Sequence, residues 1–463
     1  MSAAKSQRKR VGTRAEGTAA RRVSPARLCA FEILRRVEEE GAFASVLLAE
    51  TDEEMLASDR ALCYELVLGV LRRQLWLDHL IEHYAGREPS RLDAPVRRAL
   101  RLGLYQLRFL TRVPPSAVVN EAVNLAYRSR VSSAAGFINA VLRRAIKEPQ
   151  YDPAQILTDP LERLSVETSH PRWLIERWTK AFGWDATAEF AHANNETPGV
   201  AFRVVAARAK GRDVLEELRA AAEELSPSEI AQGAWRISGA GALLRKLSQE
   251  GLIYIQDEAS QLVAEVLDAR AHARVLDVCA APGSKTTHIA DRAESLKVIV
   301  AGDLYEHRLR AVLESAGKQG ARSVRCVAYD ATQALPFAEG SFDRVLVDAP
   351  CTGTGTLRRN PEIRWRISAR DILDLSLRQR AILQSASRML RPDGGRLVYS
   401  TCSVEPEENE AVVASFLEEE GAAFRQVSVP VPERLLSAAG AARTWPQRDR
   451  ADGFFIAAFE RRS

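Results

Sequence analysis

Four aspartates and two cysteines stand at or just after the ends of predicted strands, where side chains can meet and do chemistry. They are Asp277, Asp303, Asp330, Asp348, Cys351 and Cys402. A cysteine thiolate is a strong nucleophile, and a carboxylate can accept hydrogen bonds or exchange protons. Asp303 follows Asp277 by 26 residues, close to the spacing at which an acid binds ribose hydroxyls in nucleotide-binding folds. Each residue alone could be an ordinary loop side chain, but their shared position indicates one crevice.

The elements that must position these side chains alternate regularly after residue 256. The apolar patterns predict strands over 274–278, 297–301, 323–328, 342–347 and 396–400. Helices are predicted between them, including 257–267, 306–316 and 380–390. Continuous apolar strands separated by helices are typical of a mostly parallel sheet with both faces covered. We therefore predict a Rossmann-like α/β domain, whose ligand lies at the carboxyl ends of the strands.

The turn after the first of these strands is suited to an anionic ligand. It reads DVCAAPGSK over 277–285 and leads directly into a helix predicted to begin near Lys285. Its small residues let the backbone approach a ligand closely, and the helix N-terminus and the lysine favour negative charge. A glycine-bearing turn is weak evidence by itself, so the prediction depends on the neighbouring strand ends.

The N-terminal part of the chain has a different, helical pattern. Apolar residues recur with helical periodicity throughout 24–148, which predicts an all-helical bundle. Ser24 followed by Pro25 predicts one helix start, and Ser58 followed by Asp59 predicts another.

The segment between the bundle and the α/β domain mixes both kinds of element. It contains predicted helices over 171–182 and 214–225 and predicted strands over 200–205 and 234–238. The chain is thus predicted to be multidomain. Its segments are a disordered basic tail (1–23), an all-α domain (24–150), a small α/β RNA-binding or linker domain (151–255) and the larger α/β domain (256–463).

Basic charge is concentrated in two places. The chain carries 65 Lys and Arg against 61 Asp and Glu, a net charge of +4, while residues 1–22 alone carry +6. The tail could screen nucleic-acid phosphates or be a solvated segment without a role. Residues 91–150 hold eleven basic and three acidic side chains, which favours a nucleic-acid face over ordinary solvated helix surfaces.

The composition excludes several classes of protein. Hydrophobic residues make up 46% and charged residues 27%, which is typical of a globular chain and not of a disordered or collagen-like one. No uncharged apolar run approaches the roughly 18 residues that span a membrane. The six cysteines are scattered and the seven histidines lack ligand spacing, so we expect neither a disulfide framework nor a metal site. We expect a monomeric, cytoplasmic protein with no membrane partner.

Five segments together carry a resemblance to a known family. They are VLDVCAAPGSKT (275–286), AGDLYEHRL (301–309), DRVLVDAPCTGTGTLRRNPEIRW (343–365), GGRLVYSTCSVEPEENEAVV (394–413) and DGFFIAAF (452–459). With their paired Pro-Cys and Thr-Cys motifs, they resemble the RNA (cytosine carbon-5) methyltransferases of the NOL1/NOP2/Sun family. Residues 24–148 resemble a NusB-like RNA-binding domain. The combination of such a domain with the methyltransferase segments resembles the bacterial members of the family that act on small-subunit rRNA.

The resemblance implies S-adenosylmethionine as the cofactor. It implies that the methionine part lies near Cys279, Ala280, Ala281, Pro282, Gly283, Ser284 and Lys285. It implies that the ribose binds Asp303, with Arg308 at the cofactor edge, and that the adenine amine lies near Asp330. Asp348 would lie between the cofactor and the target base. Ser284 stands where the family usually has glycine, so its backbone must tolerate that position.

The chemistry of such a reaction explains a pair of cysteines. Carbon 5 of cytosine is a poor nucleophile, and attack of a thiolate on carbon 6 makes it enamine-like and able to accept a methyl group. The carbon-5 proton must then leave before the thiolate is expelled. Spacing and chemistry leave the order open, because DNA cytosine methyltransferases use a Pro-Cys nucleophile. The resemblance implies that Cys402 attacks, that Cys351 assists release and that Asp348 hydrogen-bonds the base edge.

The remaining candidate residues concern the RNA and the core. The base must be unpaired or flipped into the pocket; side chains that could hold phosphates or stack a base are Arg358, Arg359, Arg364 and Trp365. Packing of Trp365 beneath its loop and a structural salt bridge for Arg308 are the alternatives. The other four cysteines are interpreted as structural: Cys29, Cys63, Cys279 and Cys326.

Three functions are weighed for the whole chain. The first is methylation of carbon 5 of a cytosine in small-subunit (16S) rRNA. The second is the same chemistry on tRNA or large-subunit rRNA, since the NusB-like domain favours small-subunit rRNA only by association. The third is a non-catalytic NusB-like RNA-binding or assembly factor, against which the retained cysteine pair and strand-end aspartates argue.

Overall fold

The computed structural model describes residues 22–51, 55–293 and 295–462. The predicted basic tail lies almost wholly outside them. The chain divides into two compact units, Met1–Ile156 and Leu157–Ser463.

The described part of the first unit is helical, as the periodicity predicts. Its α-helices are α1 (Pro25–Glu39), α2 (Ala44–Ala49), α3 (Ala57–Arg72), α4 (Gln74–Ala85), α5 (Ala94–Phe109), α6 (Pro115–Arg128) and α7 (Ala135–Lys147). Short 3-10 helices lie at Pro89–Arg91, Ser132–Ala134 and Pro153–Ile156. Their apolar faces form one continuous core, because an amphipathic helix is stable only when its apolar stripe is covered.

The predicted helix starts have different outcomes. Pro25 is the first residue of α1, where its fixed φ suits the helix and its missing N–H costs nothing. The start predicted at Ser58 and Asp59 is wrong, because α3 begins at Ala57 after the extended residue Leu56. Asp59 instead lies in the first turn, where a carboxylate interacts favourably with the helix dipole.

The basic excess in residues 91–150 is partly neutralised by acids from elsewhere in the first unit. Arg97 and Arg98 pair with Glu38 of α1, and Arg101 donates to both carboxylate oxygens of Asp78 in α4 at 2.7 Å. The predicted nucleic-acid face is therefore smaller than the charge count indicates. Five basic side chains of the segment are exposed and form no ion pair with the described residues: Arg112, Arg128, Arg130, Arg143 and Lys147.

The second unit begins with helices and a small antiparallel sheet. Its elements are α8 (Pro160–Thr168), α9 (Arg172–Phe182), α10 (Trp184–Ala193), β1 (Val200–Val204), α11 (Val214–Ala221), β2 (Ala222–Pro227), β3 (Ala234–Gly239), α12 (Gly241–Gln249) and β4 (Ile253–Ile255). The sheet order is β2-β3-β1-β4. The helix predicted over 214–225 is wrong beyond Ala221. Its last residues pair with β3, and this tertiary pairing overrides their helical propensity.

The remaining elements form the predicted α/β domain. They are α13 (Glu258–Leu267), β5 (Arg274–Asp277), α14 (Ser284–Arg292), β6 (Val298–Asp303), α15 (Glu306–Gln319), β7 (Val324–Ala328), β8 (Arg344–Asp348), α16 (Ile363–Arg366), α17 (Ala369–Ser387), β9 (Arg396–Thr401), α18 (Glu410–Glu420), β10 (Phe424–Val427), β11 (Ala442–Arg443), α19 (Pro446–Asp449) and β12 (Phe455–Arg461). Short 3-10 helices lie at Thr354–Thr356 and Glu433–Leu435.

The strand order creates the crevice in which the candidate residues meet. The sheet runs β10-β12-β9-β8-β5-β6-β7, with β11 on β12, and the five strands from β9 to β7 are parallel. Chain order reverses between β5 and β8, which are neighbours in the sheet. At such a point the connections leave to opposite sides and open a crevice at the carboxyl ends. The mostly parallel sheet is confirmed, and the antiparallel strands close one side of it.

Candidate active site

The two cysteines at the strand ends lie in contact. β8 and β9 are parallel neighbours whose register pairs Asp348 with Ser400, so the loops that follow them run side by side. Cys351 Sγ lies 3.3 Å from Cys402 Sγ, and both are free, half-buried thiols. The contact therefore follows from strand register, although 51 residues separate the two positions.

The surroundings of the pair favour a proton on Cys351. The hydrogen bond with Cys402, burial and the charges of Cys402 and Glu408 all raise the pKa of Cys351 well above its usual value. A protonated Cys351 can donate its hydrogen to a Cys402 thiolate. The arrangement thus supports one nucleophilic sulfur with an adjacent thiol.

A buried ion pair lies beside the thiols. Lys285 Nζ donates to Asp348 Oδ2 at 2.7 Å, and Ser400 Oγ donates to Asp348 Oδ1 at 2.8 Å. Burial lowers the pKa of Lys285, but the charges of Asp348 and Cys402 outweigh it, and the net direction is upward. The ammonium also lies 5.2 Å from the Phe454 ring centroid. The turn sequence predicts that Lys285 faces an anionic ligand. In the structure its ammonium group is hydrogen-bonded to the Asp348 carboxylate.

The acids after β6 and β7 line the other end of the crevice. Asp303 accepts hydrogen bonds from the Tyr305 N–H at 3.0 Å and from Arg308, whose other terminal nitrogen lies 3.4 Å from the Ala281 carbonyl. Arg308 thus joins the β6 end to the 279–285 turn. Asp330 is exposed, and its Oδ1 accepts from the Thr332 N–H and hydroxyl.

The turn after β5 packs closely against α15. Gly283 has φ +104°, and a Cβ there would lie 3.0 Å from the Val312 backbone, so only glycine fits. Ser284 is the first residue of α14 and has no such φ, so serine is compatible with its position. Asp330 is exposed, and its Oδ2 accepts no hydrogen bond from the described residues. This unused acceptor is compatible with a nucleoside-type cofactor.

Two arginines predicted to hold RNA phosphates are instead buried in protein contacts. Arg358 pairs with Asp452 at 3.3 Å. Arg364, 0% exposed, donates to the carbonyls of Ser169 and Asn194. The prediction for these two residues is wrong, because both guanidinium groups are buried and bonded to partners distant in sequence.

Two other residues of that stretch are partly exposed. Arg359 bonds both Asp257 and Asp452 at 2.9 Å. Trp365 is half-buried, so its exposure does not separate stacking on a base from packing beneath its loop. Among the cysteines interpreted as structural, Cys63 is buried in the helical core and burial raises the pKa of Cys279 well above normal.

Sequence reasoning missed several residues that shape the site. Ser400 holds Asp348, Asp452 holds two arginines, and Phe454 covers the lysine. Glu408 was missed although it is 0% exposed and accepts four hydrogen bonds. Its only signal was the acidic run EPEENE after the Thr-Cys motif, which reads as a solvated segment in sequence.

The strand order and the strand-end acids define an α/β protein with a nucleotide-type crevice. Similarity to known proteins identifies its family. Residues 264–460 match the family described as 16S rRNA methyltransferase RsmB/F, 24–147 match the NusB family, and 170–244 match the RsmF/B-like ferredoxin-like domain. The chain is 32% identical over 442 residues to "Probable ribosomal RNA small subunit methyltransferase B" of Bacillus subtilis (strain 168), covering 94% of this chain and 98% of that protein. This chain belongs to the RsmB/F family of 16S rRNA methyltransferases.

Solved structures agree with this assignment. The crystal structure of PH0851 superposes with a TM-score of 0.81 at 29% identity, over 95% of this chain and 99% of that one. NSun6 from Pyrococcus horikoshii with SFG, an S-adenosylmethionine analogue, has a TM-score of 0.56 at 20% identity, over 63% of this chain and 98% of that chain, and shows the fold alone.

The described residues contain neither a helix suited to crossing a membrane nor a cluster of metal ligands. None of their helices combines the length and apolarity needed to cross a membrane. No cluster of three or more His, Cys, Asp or Glu side chains among them could hold a metal ion.

Proposed function

We propose that this chain methylates carbon 5 of a specific cytosine in small-subunit rRNA, with S-adenosylmethionine as methyl donor and a covalent Cys402–cytosine adduct as intermediate. The observation that carries the proposal is the 3.3 Å contact between Cys351 and Cys402 beside the Lys285–Asp348 pair. A methylation without a covalent step would need no thiol. Two thiols in contact suit a reaction in which one sulfur binds the base and another group must then help release it.

The first step uses Cys402 and Asp348. The Cys402 thiolate attacks carbon 6 of the base, and the electron pair of the 5,6 double bond shifts toward carbon 5. The ring nitrogen takes up a proton from water and returns it when the thiolate leaves. Asp348 would accept a hydrogen bond from the ring nitrogen that becomes protonated, which favours the addition. Lys285 and Ser400 donate hydrogen bonds to that carboxylate and hold it in place.

The second step uses Cys351. Once Cys402 is bonded to carbon 6, its charge no longer faces Cys351, and a main cause of the raised pKa of Cys351 is removed. Cys351 can then lose its proton to water and accept the carbon-5 proton of the methylated base. The bond between Cys402 and carbon 6 breaks, and the sulfur leaves as a thiolate. Both thiols return to their starting state, and one proton has been released.

The cofactor supplies an electrophilic methyl group on a sulfonium when bound. The residues that would hold it are the 279–285 turn, Asp303 with Arg308 for the ribose, and Asp330 for the adenine amine. Asp330 Oδ2 is the unused acceptor that supports this assignment. The small residues of the turn let its backbone approach the methionine part.

The RNA substrate is supported by the helical unit and by the chemistry. A base attacked at carbon 6 cannot remain stacked, so a single-stranded or opened site is required. Arg112, Arg128, Arg130 and Lys147 remain exposed for phosphate contacts, and family membership favours rRNA from the small subunit.

Bisulfite sequencing of small-subunit rRNA from cells with and without this gene tests the proposal. We expect one protected cytosine to become unprotected in the deletion strain and to be restored by the wild-type gene but not by Cys402→Ala. No change in small-subunit rRNA would refute the substrate. Loss of a protected cytosine in tRNA or large-subunit rRNA would then identify the substrate. No change in any RNA would favour the non-catalytic function.

A further inference from the structure

One buried carboxylate connects both cysteine loops. Glu408 Oε1 accepts the Thr352 N–H at 2.9 Å and the Gln379 side-chain amide at 3.0 Å. Its Oε2 accepts the hydroxyls of Thr352 and Ser403. Thr352 follows Cys351 and Ser403 follows Cys402, so each reactive cysteine is one residue from a donor to the same anion.

The carboxylate is itself held from outside the two loops. The Tyr399 hydroxyl, in β9, donates to the Glu408 carbonyl at 2.6 Å. Gln379, in α17, donates to the Pro350 carbonyl at 2.9 Å as well as to Glu408. The anion is therefore a fixed point to which both loops are bonded. Four donors offset most of the cost of burying its charge.

We propose that Glu408 is a positioning residue of the methyltransferase, which sets the distance between the Cys351 and Cys402 sulfur atoms and places a negative charge beside Cys351. The expected effect of Glu408 on the methylation rate rests on the proposed function. Its expected effect on the reactivity of the two thiols does not. Glu408 forms no hydrogen bond with Asp303 or Asp330, the acids assigned to the cofactor, and two of its partners follow the cysteines directly in sequence.

The electrostatic part of the argument has a definite sign. The groups that face the thiols are Glu408, Tyr399 and the Lys285–Asp348 pair. Glu408 is one of the causes that raise the pKa of Cys351. Removing its negative charge should therefore lower the pKa at which the thiol pair loses a proton.

The first test measures the thiols of the full-length chain without any substrate. Glu408→Gln keeps the shape of the side chain and removes its charge. Alkylation by iodoacetamide is followed against pH, with the Cys351 and Cys402 peptides resolved by mass spectrometry, because only the thiolate reacts. We expect the alkylation curve to move to lower pH by about one unit.

The second test measures methyl transfer by the same variant. We expect kcat to fall by about tenfold or more, with the KM for RNA and for the cofactor unchanged. Glu410→Gln is the matched control. It removes a charge two residues away that pairs with Arg443 at an exposed position, and it should leave the alkylation curve and kcat as in the wild type.

The outcomes separate positioning from a merely structural role. An alkylation curve that does not move, or a kcat that stays within about twofold of wild type, would overturn the proposal. A wild-type chain that transfers no methyl group would refute the proposed function, and the alkylation test would then decide the present proposal alone.

A second variant that keeps the charge of Glu408 tests the proposal if Glu408→Gln does not fold. Ser403→Ala removes one donor to Glu408 and leaves the carboxylate ionised. We expect kcat to fall severalfold, with the alkylation curve unmoved. If Glu408→Gln does not fold and Ser403→Ala has full activity, the proposal is overturned.

Discussion

Replacing Gly355 with alanine should displace the loop that contacts the proposed nucleophile. The Gly355 N–H donates to the Cys402 carbonyl at 2.9 Å, and the Gly453 N–H donates to the Gly355 carbonyl at 2.8 Å. Gly355 thus lies between the Cys402 loop and the segment that leads into β12. Any movement of its backbone passes directly to Cys402.

The size of that movement follows from the contacts. A Cβ on residue 355 would lie 2.0 Å from the Gly453 oxygen and 2.9 Å from the Cys402 oxygen. Carbon and oxygen in contact are separated by about 3.3 Å, so one backbone must shift by about 1 Å. A misplacement of that size costs about 100-fold in rate, and the overpacking costs about 1–3 kcal/mol of unfolding free energy.

The assay is the initial rate of methyl incorporation into an rRNA transcript at saturating RNA and cofactor, with urea unfolding measured on the same preparation. Gly317→Ala is the matched control. It lies in α15 with no atom within 4 Å of the new Cβ, and alanine there should raise stability by about 0.5–1 kcal/mol. A folded Gly355→Ala variant with wild-type kcat would refute the reasoning, because the loop would then not constrain Cys402.

Three further predictions concern the thiols, a buried arginine and a buried acid. Cys402→Ala should abolish methyl transfer, whereas Cys351→Ala should accumulate a covalent RNA–protein adduct, visible as a slow band on a denaturing gel, because release needs the second thiol. An adduct trapped by the Cys402 variant would reverse the two roles. Arg364→Met should lower the unfolding free energy by about 3–5 kcal/mol, because buried carbonyls lose their donor, and should leave the RNA affinity of the folded fraction unchanged in filter binding. Weaker RNA binding at unchanged stability would restore the phosphate-binding interpretation. Burial raises the pKa of Asp277 to about 7, above its unfolded value of about 4. The folded state therefore binds more protons, and its unfolding free energy should fall as pH rises from about 4 to 7. Asp277→Asn should show a shallower fall in urea unfolding, and an identical pH dependence would contradict the assignment.

Much of the fold could be predicted because its causes are local. A strand such as β5, with Val275 and Leu276 fully buried, appears in sequence as a short apolar run, and helices appear as a 3.6-residue period. The predictions failed where a distant partner overrode local preference. The clearest case is Ala222–Pro227, which continues a helical pattern but pairs with β3.

The candidate site also has one part that the sequence predicts and another that depends on tertiary structure. Its acids and cysteines could be predicted, because parallel strands end at one edge whatever their order. The sequence by itself determined these residues and their shared location. The sheet order decided which of them touch. Cys351 meets Cys402, and Lys285 meets Asp348, because β8 lies between β9 and β5.

Only the tertiary structure decided the role of each charge. Arg364 reads as a basic side chain available to RNA, yet it bonds the Thr168 carbonyl 196 residues away. Glu408 reads as one acid in a solvated run, yet it is buried between the cysteine loops. Charge is visible in sequence, whereas burial and partners depend on residues that only folding brings together.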